Sequence, residues 1–155
     1  MLKLAAVALL VAVLGTPPAI AQTGAEVDAA VTADLGDAAP YHIAFDAIHA
    51  AVANDDAAAL AAWVSFPITV TVGGKELTIN DAEQFATEYD TIITGDIKDA
   101  ILKQKWEELF VNADGIMYGN GQVWLNGICK DEACASFDVR VIAIQSTADI
   151  GTKAN

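Results

Sequence analysis

Positive charge is scarce in this chain: eight Lys and Arg stand against 21 Asp and Glu, for a formal net charge of −13. Affinity for a phosphate backbone depends on neutralising phosphates with Lys and Arg, so nucleic-acid binding is set aside. Anionic lipid heads are disfavoured by the same field, whereas a cationic partner would be drawn in. Long hydrophobic runs are also missing. The longest, Leu4 to Gly15, holds about a dozen residues, and a helix crossing a bilayer needs roughly twenty. A permanent membrane anchor is therefore not expected. Cysteine is limited to Cys129 and Cys134, in the wrong spacing for a Cys-x-x-Cys redox motif. No internal repeat, nucleotide loop or catalytic signature is present, and no cofactor is called for.

What the first residues do carry is the three-part order of a secretory leader. Lys3 supplies a positive charge, the Ala, Val and Leu run follows, and Thr16 to Ala21 brings prolines and small residues. Ala19-Ile20-Ala21 fits the small-x-small pattern of a peptidase site, which places cleavage after Ala21 and the mature chain in the periplasm or outside the cell. In that oxidising setting the two cysteines are expected to join as a local disulfide that staples one turn.

Four segments follow: the leader at 1–21, a mobile arm at 22–40, a single domain at 41–145 and a tail at 146–155. The arm is rich in Ala, Asp, Gly and Thr, shows no sustained apolar period and closes at Pro40. Tyr41, Phe45, Ile48 and Val52 recur at helical spacing, predicting a helix that stops near Asn54, with a short second helix from Ala57 to Val64 behind the caps Asp55 and Asp56. Phe66, Ile68, Val70 and Val72 alternate with polar residues, and Gly73-Gly74 turns the strand into a hairpin with Leu77 and Ile79. Asn80 and Glu83 have the spacing of a capping box opening a helix through Phe85, Tyr89, Ile92 and Ile93, which Gly95 would end. Asp96 would cap another from Ile97 to about Leu109. Gly115 to Gln145 reads as strands with the cysteine pair at a hairpin tip. The class is α+β: N-terminal helices packed on a curved, cone-like antiparallel sheet, one domain after the signal peptide.

This element order, with Phe66-Pro67-Ile68, Glu88-Tyr89-Asp90 and the run Gly115-Ile116-Met117-Tyr118-Gly119-Asn120-Gly121-Gln122-Val123-Trp124, resembles the nuclear-transport-factor-2-like superfamily. That group includes ketosteroid isomerase and cyclase-type proteins, and the closer likeness is to exported bacterial members without an assigned activity. The resemblance implies an apolar pocket between sheet and helices. It carries no catalytic motif across residue by residue, and the fold hosts enzymes and plain binding proteins alike.

Three groups of residues are candidates for chemistry. His42, Asp46 and His49 lie four and three apart on one helix stripe, a spacing that can present metal ligands, although a solvated helix edge on which Asp46 orients a histidine is the preferred reading. Trp106, Tyr118, Trp124 and Asn126 are candidate pocket residues, with Trp124 and Asn126 on one side of a strand; aromatic residues at such spacing more often build the core. Tyr89 with Asp90, or Asp138, is the candidate acid–base set, on the expectation that burial raises the carboxylate's pKa. Asp138 with Arg140 also reads as a structural pair. Lys98, Lys103 and Lys105 are interleaved by acids and read as a solvated face. The expected function is an exported binding or interaction protein for a small ligand or a protein partner, with a homodimer compatible. The alternatives are a pocket enzyme of isomerase or dehydratase type, and an inhibitor or immunity-type protein that plugs a basic partner with its acidic surface and stapled tip.

Overall fold

The computed structural model describes residues 21–147. The segment expected to be a secretory leader, except Ala21, and most of the expected C-terminal tail lie outside the described residues. Among the described residues, six α-helices and six strands form one α+β unit, in which helices lead and a mixed open sheet follows.

The first helix, α1 (Gly24–Asp34), occupies the segment expected to be a mobile arm. Its start is a complete capping box: Glu26 Oε2 accepts from Thr23 N at 2.7 Å, and the Thr23 hydroxyl accepts from Glu26 N at 3.3 Å. Val27 and Val31, four apart, are fully buried. Two valines on one stripe suffice to dock a short helix, a pattern too brief to register as a sustained period. Helix α2 (Ala39–Ala53) buries Tyr41, Ala44, Phe45, Ile48, Ala51 and Val52, as the spacing predicts. Pro40 opens this helix instead of closing the arm, because a first-turn position has no use for the missing N–H. Helix α3 (Ala57–Ala61) is capped by Asp56, which accepts from Ala59 N at 2.9 Å, and is shorter than expected.

The hairpin forms as read: β1 (Ile68–Val72) pairs antiparallel with β2 (Lys75–Ile79), and Gly73 and Gly74 both sit at positive φ in the turn. The next stretch is more broken than the pattern suggests. It runs as α4 (Ala82–Thr87), α5 (Tyr89–Ile92) and α6 (Gly95–Lys103). Asp81, not Asn80, caps α4 by accepting from Gln84 N at 2.8 Å, while Gln84 Oε1 accepts from Asn80 N. Gly95 begins α6 instead of ending its predecessor, and α6 stops six residues short of Leu109. A single 3-10 turn, Trp106–Glu108, follows it.

The remaining strands are β3 (Phe110–Asn112), not foreseen from sequence, β4 (Gly115–Tyr118), β5 (Val123–Cys129) and β6 (Phe137–Gln145). The sheet order is β2-β1-β6-β5-β4-β3. Its one departure from antiparallel pairing between named strands is the β1–β6 joint, where Val70 faces Ile144 and Thr71 faces Gln145 in parallel. Those two strands are separated by the whole helical middle and the meander, the kind of long connection a parallel pair requires. Ile116, Leu125 and Val141 line the helix-covered face, whereas Phe110, Met117, Trp124 and Ala143 follow one another across the opposite face. Cys129 and Cys134 are bonded at the β5–β6 hairpin end, with their Cα atoms 4.8 Å apart. No described helix is long and apolar enough to cross a membrane.

Candidate functional site

The most site-like feature is a groove of about 380 Å³ where the start of α2, the end of α3 and β6 meet. Its apolar walls are Pro40, Ile43, Trp63 and Phe137, and Asp138 and Arg140 stand at its edge. Local structure explains each placement. The inward stripe of α2 leaves Ile43 pointing away from the core, 62% exposed. Trp63 follows α3, and its carbonyl accepts from Val141 N at 2.7 Å, so β6 holds the backbone from which the indole projects. Val64 extends this seam in a parallel bridge to Val141.

The charges at the edge form a chain. Lys130 Nζ lies 2.6 Å from Asp138 Oδ1, and Arg140 Nη2 donates to Asp138 Oδ2 at 3.4 Å. Arg140 Nη1 donates to the carbonyl of Ala62. Lys130 first, then Arg140, holds the Asp138 carboxyl below the usual aspartate range. Asp138 is thus a stable anion tied to two cations. The burial that would raise the pKa of a general base is outweighed there by the two cations, and the side chain is 43% exposed.

The other candidates are dispersed. Asp90 is exposed, while its neighbour Tyr89 is buried edge-on against Phe85, with its phenol pushed up by burial and then by Asp55, Asp90 and Asp56. The four-residue turn of α5 therefore directs the proposed pair to different environments. Of the helix stripe, His42 stacks on Trp106 with ring centroids 3.7 Å apart, and its Nε2 lies 2.7 Å from Asp28 Oδ1. His49 places Nδ1 2.8 Å from the Phe45 carbonyl and Nε2 3.1 Å from that of Gln104. Asp46 is exposed. Both imidazoles thus face protein partners, and no group of three or more acidic, His or Cys side chains suited to a metal occurs among the described residues. The carboxylate that orients a histidine is Asp28, from α1, and not Asp46. It also accepts from Trp106 Nε1 at 2.8 Å, and His42 is the main reason its pKa is lowered. Asp28 is fourteen residues from His42, so no local spacing could have singled it out.

The four expected pocket residues occupy separate places. Trp106 braces α1. Tyr118 is fully buried, stacked on Phe45 at 5.4 Å, with its hydroxyl pushed far up by desolvation and by Asp46. Trp124 meets Phe110 edge-on, at 6.4 Å, on the uncovered sheet face. Asn126 Oδ1 accepts from the Tyr41 hydroxyl at 3.2 Å and from Gly127 N. The space between α2 and the sheet is occupied by Phe45, Ile48, Tyr118 and Leu125, all buried. Sequence reasoning missed Ile43, Trp63 and Phe137. An isoleucine off the core stripe of a well-defined helix was the one available signal. Comparison with known protein families, curated proteins and solved structures returned no match to this chain.

Proposed function

We propose that this chain is an exported, periplasmic binding protein of the nuclear-transport-factor-2-like type, and that it holds a small, mainly apolar ligand or a partner's apolar side chain in the α2–α3–β6 groove. The observation that carries the reading is the groove itself: an exposed Ile43 beside Trp63 and Phe137, with a fixed ion chain at one end. A concave apolar site with a few placed polar groups is the usual form of a ligand site. The superfamily likeness is supported by the order of helices, hairpin, helices and closing meander. The export reading is supported by the leader pattern and the paired cysteines. The isomerase-type alternative has less support, because neither Asp90 nor Asp138 stands at the floor of a closed pocket.

The test is titration of the mature protein with the neutral dye Nile red, which the protein's negative charge does not repel. Ile43→Asp places a charge in the groove without touching the core. Loss of an Ile contact of about 1.5–3 kcal/mol weakens binding roughly tenfold or more. Thermal unfolding stays near wild type, as for other exposed substitutions. Equal dye affinity in both proteins would place the binding surface elsewhere.

A further inference from the structure

We propose that the mature chain begins at Gln22 and that this glutamine closes on its own α-amine to form an N-terminal pyroglutamate. The inference rests on the export reading, since the leader must be removed after Ala21 to free that amine. In the reaction the unprotonated Gln22 nitrogen attacks its own side-chain amide carbon. A nitrogen–Cδ bond forms, the Cδ–Nε2 bond breaks, and the departing nitrogen takes a proton from the attacking amine and leaves as ammonia. No oxidant, metal or cofactor enters the balance. Terminal amines titrate at about 7.7–8.0, so a useful fraction is unprotonated near neutrality.

The structure places this residue where closure disturbs nothing. Gln22 is exposed and lies just outside α1, immediately before its N-cap, Thr23. The capping box draws on Thr23 N, the Thr23 hydroxyl, the Thr23 carbonyl and Glu26 N. The nitrogen of Gln22 takes no part in it. The ring therefore forms with every capping hydrogen bond intact, and the peptide link to Thr23 keeps its N–H for Glu26. Closure also removes a positive charge from beside a helix N-terminus, where the backbone dipole disfavours cations. Because Val27 and Val31 are buried and Asp28 is bonded to His42 and Trp106, the sealed end sits on a docked helix. Aminopeptidases lose the free amine from which they would trim into the cap.

The experiment uses the full chain, leader included, expressed in a Gram-negative host and recovered from the periplasm for intact-mass measurement and N-terminal peptide mapping. The expected product is residues 22–155, lighter by one ammonia than the open form, resistant to aminopeptidase until pyroglutamyl peptidase is added. Gln22→Glu, which must expel water instead, keeps its open amine and its aminopeptidase sensitivity. A chain cut before Gln22 that retains a free amine overturns the proposal while leaving export standing, and so does a start at any other residue. Uncleaved protein confined to the cytosol overturns both.

Discussion

Truncating Val31 measures whether α1 is part of the folded unit. Val31 is fully buried and packs with Val27 into the same apolar cluster as the rest of the core. Val31→Ala deletes two methyl groups, worth about 0.8 kcal/mol each in transfer free energy, or roughly 1.6 kcal/mol. Collapse into the space left behind is restricted, because Asp28, one turn earlier, is fastened to both His42 and Trp106. A cavity contribution therefore adds to the transfer loss, for a total of about 2–3 kcal/mol. Urea unfolding followed by circular dichroism is the assay. With a slope of about 1–3 kcal/mol per molar, the midpoint falls by roughly 0.7–3 M. Thr32→Ala, an exposed neighbour on the same helix, is the control and stays within about 0.5 kcal/mol. If Val31→Ala matches that control, α1 contributes nothing to global stability and is not docked on the core.

Two further outcomes follow from named contacts. Asp28 has its folded-state pKa lowered below 3.8, chiefly by His42, so its stabilising contribution is present above that value and is lost as pH falls through the lower folded one. In acid titrations, the stability gap between wild type and Asp28→Asn should hold steady above about pH 4 and close below it; a gap that widens in acid reverses the assigned sign. Gly115 sits at φ +135°, and a Cβ there would lie 2.1 Å from the Leu125 carbonyl oxygen. Gly115→Ala should force β4 from β5 at a cost of at least about 3 kcal/mol, read as a loss of roughly 10 °C or more in Tm. Unchanged melting would mean that the β4–β5 pairing is not as described.

The parts of the fold legible from sequence are those in which one residue type repeats at a fixed period. Tyr41, Phe45, Ile48 and Val52 announce α2, and Ile68, Val70 and Val72 announce β1, because each side chain repeats the same message about one face. Where a boundary depends on which of two adjacent cap-forming residues engages the backbone, periodicity says nothing. Asp81 prevails over Asn80, and Gly95 joins a helix it was expected to stop. β3 is three residues long, too short to display alternation, and its evidence is its partner β4. The site was harder still. His42 and Trp106 both stand out in the sequence, in separate groups, but the carboxylate that links them belongs to the segment whose composition suggests a mobile arm. Long-range polar contacts of that kind leave no periodic trace.

The groove is best understood through Arg140, the single arginine of a strongly acidic chain. Its guanidinium bonds the Ala62 carbonyl at the end of α3 and the Asp138 carboxylate two residues earlier on its own strand. A planar fork can serve both acceptors at once, which a lysine ammonium on a flexible stem does less well. Trp63 is held to β6 independently, by the paired hydrogen bonds of the Trp63–Ser65 segment with Val141. Two different interactions therefore fix α3 against β6, and α2 is anchored from its other side by the buried Tyr41 and Phe45. The walls around Ile43 owe their positions to the fold and not to an occupant. A site formed in advance binds without the ordering cost that a loop-built site incurs. Placement of this kind distinguishes the groove from the remaining candidates: His42 and His49 are engaged by protein partners, Tyr89 and Tyr118 are buried in the core, and Asp46 and Asp90 stand exposed on helix surfaces.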